Sequence, residues 1–142
     1  PLNLSSIAEG DLVTAYTPGF KFKVLAVDFA TTTVASTSAK ASTLNVEIGT
    51  TNLTGGVVSL TTASCDTLGE LTAGSSVTAA NTGTASDTIS VEASSTTAFV
   101  QGAGVLFIKI QNMDVQDNAA KTAELANALR SALDALNLIA GE

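Results

Sequence analysis

The chain has 142 residues with six Lys or Arg, 13 Asp or Glu and no His, which gives a formal net charge of -7. This length fits one domain of ordinary size, and a single cysteine excludes an internal disulfide and a Cys/His metal framework. The few basic residues are scattered, so the sequence argues against a nucleic-acid partner and against binding to an anionic membrane. Neither a signal peptide nor a run of about 18 apolar residues is present in the printed sequence.

Charged residues make up only 13% of the chain, and the mean hydropathy is +0.36. The polar surface therefore depends mostly on Ser, Thr, Asn and Gly. Such a surface carries little charge that must lose its water when another protein covers it. The composition favours a protein that works inside a permanent assembly.

Short strands separated by turn-rich segments are predicted between residues 20 and 112. The clearest apolar alternation covers residues 20–29, 43–48, 56–61, 88–92 and 105–111. Residues 20–29 become apolar on both faces, which indicates a central strand or one that leaves the sheet edge for the core. The connections at 31–42, 72–86 and 93–97 are rich in Thr, Ser, Ala and Gly.

A helix is predicted over residues 119–140, with Asp117 or Asn118 as its cap, a turn over 114–118 and Gly141 as its stop. One stripe holds its larger apolar residues, and the polar residues Asn127, Arg130 and Asp134 lie opposite, together with Leu138. Packing on the chain's own strands and contact with another subunit are equally compatible with this stripe. It looks too broad and irregular for a strict coiled-coil seam. The stripe comprises Leu125, Leu129, Ala132, Leu133, Leu136 and Ile139.

Together these elements predict a mainly β fold, a jelly-roll-like β-sandwich followed by one C-terminal α-helix. Residues 1–15 are expected to form an N-terminal arm outside the strand series. Residues 16–113 are expected to form the sandwich, and residues 114–142 a helical extension.

The sequence offers no recognisable catalytic chemistry. Without histidine there is no Ser-His-Asp or Cys-His arrangement and no usual general base. Cys65 is expected to be a small core thiol. Three acidic pairs are explained by solvated charges, and helix capping is a simpler role than calcium binding for Asp114, Asp117 and Asn118. The acidic pairs are Glu9 with Asp11, Asp66 with Glu70, and Glu47 with Glu92. We therefore expect no enzyme, and no catalytic, cofactor-binding or metal-binding residue.

Sugar binding is the main alternative, since many β-sandwiches bind glycans. Such sites generally use exposed aromatic platforms, and here aromatic residues are only 4%, with one Tyr and no Trp. Four of the five Phe residues fall in predicted strands, where core packing is expected. Tyr16 and Phe99 remain the two aromatic residues that an exposed glycan site would use.

The middle of the chain resembles the capsid decoration (cement) proteins of tailed bacteriophages. The resemblance lies in low-charge, Thr/Ser-rich strands at residues 19–25, 44–51, 87–93 and 104–112, and it excludes the helical tail. It implies a small β domain, often trimeric, that binds the major capsid protein on the outside of the shell. The expected location is the capsid surface of the virion, after synthesis in the host cytoplasm. The alternative is a receptor- or glycan-binding domain of a phage fibre or surface appendage.

Overall fold

Two antiparallel sheets and one long helix make up residues 1–135, the part of the chain that this computed structural model describes. The first sheet has the order β1-β10-β3-β7, and β8 also pairs with β3. The second has the order β2-β9-β4-β5, and β6 also pairs with β4. The strands are β1 Leu2–Asn3, β2 Gly10–Tyr16, β3 Phe22–Thr33, β4 Ala41–Ile48, β5 Thr51–Asn52, β6 Val58–Thr61, β7 Leu71–Ala73, β8 Thr82–Gly83, β9 Ile89–Thr97 and β10 Ala103–Asn112.

The chain crosses repeatedly between the two sheets, and the resulting strand order is that of a jelly roll. The helix α1, Met113–Ala135, follows β10 without an intervening loop. The predicted fold, a jelly-roll-like sandwich with one C-terminal helix, is therefore confirmed.

The core lies between the sheets and follows from alternation along the strands. In β4, Ser42, Leu44 and Val46 are buried while the residues between them are only partly covered. In β3 the buried residues Val24 and Val27 are three positions apart, because the pairing with β10 shifts register there. This irregularity accounts for the loss of alternation in the sequence of β3, which is a central strand as predicted.

Two glycines make room for the phenylalanine rings of β3. A Cβ atom at Gly83 would overlap the ring of Phe22, and one at Gly104 would overlap the ring of Phe29. Both rings are fully buried. Any side chain at these two positions would displace a core aromatic residue, so the glycines are part of the packing.

The expected N-terminal arm is part of the sandwich, so the boundary at residue 15 is wrong. Leu2 and Asn3 pair with β10, Leu4 and Ile7 are buried in the core, and β2 forms one edge of the second sheet. The bulges in β2 hide its strand character, since Val13 and Tyr16 are paired with Val91 and Ile89 across an irregular register.

The helix begins six residues earlier than predicted. Asn112 accepts a hydrogen bond through Oδ1 from the backbone N–H of Asp114 at 2.9 Å, a capping contact at the helix start. Asp117 and Asn118 therefore lie within the helix, and the predicted turn over 114–118 and the predicted cap are wrong. The predicted end of the helix, including Leu136, Leu138, Ile139 and Gly141, lies outside the described residues.

Candidate interaction surfaces

An apolar cleft opens between the sheets where each has a free edge. Within residues 1–135, β1 covers only the first two residues of β10, and β2 pairs with β9 alone. The volume of the cleft is about 240 Å³. Because its lining is aliphatic apart from one phenol, it suits an apolar occupant better than a polar one. The lining residues are Val13 and Tyr16 of β2, Ile89 and Val91 of β9, and Leu106, Ile108 and Ile110 of β10.

A second, largely apolar surface lies on the outside of the first sheet, and it includes one carboxylate, since Asp28 pairs with Phe107. In the register of the sheet, Val105 lies beside Ala30, and Ala30 lies beside Leu71. Leu71 and Phe107 are more than half exposed, although Phe107 was expected in the core. We call this surface the outer apolar face, and it comprises Leu25, Ala30, Leu71, Val105 and Phe107.

The outside of the second sheet is polar in contrast. Asp11 pairs with Glu92, and Glu92 in turn pairs with Asn45. Glu47 accepts a hydrogen bond from the Ser90 hydroxyl at 3.2 Å. Glu47 and Glu92 thus share an open sheet face and line no cleft, so their arrangement is that of solvated carboxylates.

The helix α1 supplies a third apolar surface, which residues 1–135 leave uncovered. Val115, Leu125 and Leu129 are 65%, 72% and 59% exposed. Of the two readings of the predicted stripe, packing on the chain's own sandwich is therefore wrong for Leu125 and Leu129. The positions Leu136 and Ile139 lie outside the described residues.

One polar contact region joins α1 to the sandwich. The ammonium of Lys21 lies 2.9 Å from a carboxylate oxygen of Asp117, and the backbone N–H of Lys21 donates to Asp114 at 3.1 Å. The hydrogen bond and charge of Asp117 raise the pKa of Lys21 above its ordinary value. The Asp114 and Asp117 side of the helix therefore faces the sandwich, and Asp114, Asp117 and Asn118 serve the helix and its attachment.

Cys65 and Asp87 have structural roles. Cys65 is buried, as predicted, and burial raises the pKa of its thiol, which keeps it protonated and weakly nucleophilic. Asp87 accepts from the backbone N–H and hydroxyl of Thr84, and these bonds lower its pKa while closing a turn. No group of three or more acidic, Cys or His residues within the described chain is arranged to hold a metal ion.

The two aromatic candidates have opposite environments. Tyr16 is 59% exposed beside the cleft, whereas Phe99 is buried, against the expectation that its polar neighbourhood would expose it. Sequence reasoning missed the cleft and the outer apolar face because both depend on how distant strands pair. The one signal in the sequence was that both alternating sets of residues in β10 include apolar side chains, so that one set had to lie outside the core.

The fold defines a class, the jelly-roll β-sandwich with a helical extension. Comparison with protein-family models, with curated proteins and with solved structures finds no match for this chain. Within residues 1–135, no helix is long and apolar enough to cross a membrane.

Proposed function

We propose that this chain is a non-enzymatic structural protein whose role is to bind other protein subunits. Its specific form is a decoration protein that binds the outside of an assembled phage capsid and bridges neighbouring major capsid subunits. The observation that carries this proposal is the exposed apolar area on two separate elements, the outer apolar face and α1, in a chain of very low charge. Exposed apolar patches of this kind are typical of protein interaction sites.

The outer apolar face is the surface that we assign to the capsid. It is formed by paired strands of one sheet, and Phe107 provides a large side chain for a pocket on the partner. The polar, acidic outside of the second sheet would then face solvent. A protein that binds only the assembled shell stabilises that shell, which is the physical basis of cementing.

Residues 1–15 have no part in reaching a neighbouring subunit under this proposal. Leu4 is fully buried and Ile7 nearly so, so removing this segment would open the core. The helix α1 is the extension that remains available for contacts beyond the sandwich.

The first test is quantitative mass spectrometry of purified virions from the source. Hundreds of copies in a fixed ratio to the major capsid protein are expected, because a decoration protein follows the capsid lattice. A few copies would indicate a fibre or tail part, and complete absence would overturn the proposal.

The second test concerns the surface. Purified chain is mixed with capsids that lack it, and binding is measured by co-sedimentation. Phe107→Asp places a charge in the outer apolar face and is expected to weaken binding at least about tenfold, since burying an unpaired charge is costly. Ser59→Asp places the same charge on the exposed outside of the second sheet and is expected to bind as the unchanged chain does. Equal binding by both variants would remove the outer apolar face from this role.

A receptor- or glycan-binding domain of a phage fibre is the second candidate, and the exposure of Tyr16 is the observation that favours it. An exposed phenol beside a cleft can stack on a sugar ring. The aliphatic lining of the cleft offers few hydrogen bonds to sugar hydroxyls, which weighs against it. A glycan array with the unchanged chain and with Tyr16→Ala tests this candidate, and binding that disappears in the variant would support it.

A further inference from the structure

The exposed side of α1 has a regular heptad spacing once the true start of the helix is known. Steps of three and four residues alternate along it, as in the a and d positions of a coiled coil. The sequence prediction began the helix at residue 119 and so omitted the first two of these positions, which hid the first heptad of the pattern. The positions are Val115, Asn118, Thr122, Leu125, Leu129 and Ala132, which we call the seam.

The seam turns away from the sandwich. The helix is attached through Asp114 and Asp117, which bond Lys21, while Val115 in the same turn is mostly exposed. Leu125 and Leu129 are likewise uncovered within the described chain. From Val115 to Ala132 the seam extends about 26 Å at 1.5 Å per residue.

A heptad seam is complementary to another helix with the same spacing, because each side chain fits into a hole formed by four residues of the partner. Within residues 1–135, α1 is the only helix longer than one turn. The partner helix must therefore come from another molecule. A second copy of this chain provides the matching spacing and length.

We propose that copies of this chain associate through the seam as a parallel, in-register coiled coil. Three of the positions beside the seam favour this partner, since Ala119, Ala126 and Ala128 are small and uncharged and let helices approach closely, while Lys121 is the one charged residue among them and faces Ala126 of a parallel, in-register partner. The charged residues Asp117, Glu124 and Arg130 lie off the seam and stay in water. No like charges are brought together along the contact, despite the net charge of the chain.

The order of polar and apolar positions sets the direction. In a parallel pair, Asn118 faces Asn118 and Leu129 faces Leu129, so amides can bond each other and leucines pack together. In an antiparallel pair with the same overlap, Asn118 faces Leu129, which buries an amide against an apolar side chain. The hydroxyl of Thr122 already donates to the carbonyl of Asn118 at 2.8 Å, which leaves its methyl group for the contact.

This inference goes beyond the proposed function and is independent of it. It concerns how copies of the chain join each other, and it would hold equally for a decoration protein and for a fibre component. Its tests use the purified full chain without capsids, so its failure is distinguishable from a failure to bind capsids.

The main test is the mass of the assembly in solution, measured by sedimentation velocity over about a hundredfold range of concentration. The full chain of 14.2 kDa is expected to form a species of a whole-number multiple of that mass. The double variant Leu125→Asp/Leu129→Asp is expected to weaken association by more than about a hundredfold. The control Ala120→Asp/Ala123→Asp adds the same charge at exposed positions away from the seam and is expected to associate normally.

Three results would overturn the proposal. One is a monomeric full chain at every concentration, and another is a seam variant with the same mass as the full chain. The third is an equal loss of association in both double variants, because the effect would then come from charge or helix propensity and not from the seam.

The direction is tested with single cysteines. Ala132→Cys places a thiol in the seam, and Cys65 adds no exposed thiol because it is buried. Parallel, in-register helices are expected to give a cross-linked dimer on oxidation, visible on a non-reducing gel. The control Ala123→Cys, off the seam, is expected to cross-link much less. An oligomer in which Ala132→Cys fails to cross-link would overturn the parallel arrangement, since antiparallel helices place residue 132 opposite Val115.

Discussion

The sandwich and the helix use apolar residues in different ways. In the sandwich, side chains from both sheets form one buried cluster that includes Leu44, Val46 and Phe29. In α1, Leu125 and Leu129 are exposed, and the start of the helix is joined to Lys21 of the sandwich by two carboxylates and by the Met113 N–H. The apolar side chains of this cluster are therefore covered within one chain, whereas Leu125 and Leu129 of the helix are left uncovered by the described residues. The same substitution should have different consequences in the two regions.

The largest difference is expected for leucine-to-alanine substitutions. Leu44 is fully buried, so Leu44→Ala should lower the free energy of unfolding by about 2–5 kcal/mol through lost burial and a cavity. Leu125→Ala should change it by less than about 0.5 kcal/mol in a single chain, because that side chain is mostly exposed. Urea denaturation of both variants, at a dilution where the chain is monomeric, measures the difference.

The same pair separates the two regions in the assembled state. At high concentration Leu125→Ala should weaken association, while Leu44→Ala should leave the contact between helices intact if the chain is folded. A loss above about 2 kcal/mol for Leu125→Ala in the monomer would contradict the comparison, because that loss is typical of a buried leucine.

A smaller effect is expected for buried hydroxyl groups. Thr31 is 1% exposed, and its Oγ1 has no hydrogen-bond partner among the described residues apart from a weak contact with the Cys65 thiol. Thr31→Val removes that group at nearly constant shape and should raise the free energy of unfolding by about 1–2 kcal/mol. Thermal and urea denaturation measure the change.

Thr122→Val is the matched change in the helix. The hydroxyl of Thr122 is already bonded and the residue is exposed, so the stability of the single chain should stay nearly the same. A destabilised Thr31→Val variant would mean that the Thr31 hydroxyl has a partner, and would contradict the reading of this position.

Alanine-to-glycine substitutions should have opposite signs in the two regions. Ala15 in β2 has a φ of 56°, a left-handed conformation that costs a residue with a Cβ about 1–2 kcal/mol. After the greater flexibility of glycine in the unfolded chain is subtracted, Ala15→Gly should gain about 0.5–1 kcal/mol. Ala123→Gly, inside α1, should instead reduce helix content, measured as circular dichroism at 222 nm. A destabilised Ala15→Gly variant would indicate that the bulge in β2 is not strained.

The sequence predicted the strands whose alternation is unbroken. Residues 43–48 lie within β4 and residues 105–111 within β10, because one face of each strand is covered by the core. β2 was missed because its bulges interrupt the alternation, and β5, β7 and β8 were missed because two or three residues carry no period. β3 and β9 also continue into segments of Thr and Ser that look like loops, since pairing with neighbours decides their conformation.

The interaction surfaces were less predictable than the fold. The cleft joins β2, β9 and β10, whose separation along the chain hides their proximity. Phe107 is exposed although it lies in a predicted strand, and Phe99 is buried although its sequence neighbours are polar. In both cases the exposure depends on which distant parts of the chain cover the residue. The seam was partly predictable, but its first heptad depended on the helix start, which the cap at Asn112 determines.

The smallest expected effect concerns the attachment of the helix, and it tests whether the two regions move separately. The Lys21–Asp117 pair is about half exposed, so Asp117→Asn should hardly change the free energy of unfolding. It should instead widen the range of helix orientations, because the hydrogen bonds that remain, from the Lys21 N–H to Asp114 and from the Met113 N–H to the Lys21 carbonyl, both lie in the first turn of the helix. The measurement is the distance distribution between nitroxide labels on cysteines at Ser59 and Ala123, with labelled chain diluted into unlabelled chain. Glu124→Gln, which removes a helix carboxylate without a salt bridge among the described residues, should leave the distribution unchanged.

The pH dependence of this distance distribution tests the attachment of the helix without a further substitution. Because Asp117 raises the pKa of Lys21, the contribution of the pair is fully present below the ordinary lysine pKa and is lost as the pH rises through the raised value. The distribution of the unchanged chain should therefore widen at strongly alkaline pH towards that of Asp117→Asn, and the variant should change little over the same range. Identical narrow distributions for both proteins at neutral pH would mean that other contacts orient the helix. The helix would then be a rigid continuation of β10, and the exposed seam would be held in one fixed direction before any partner binds.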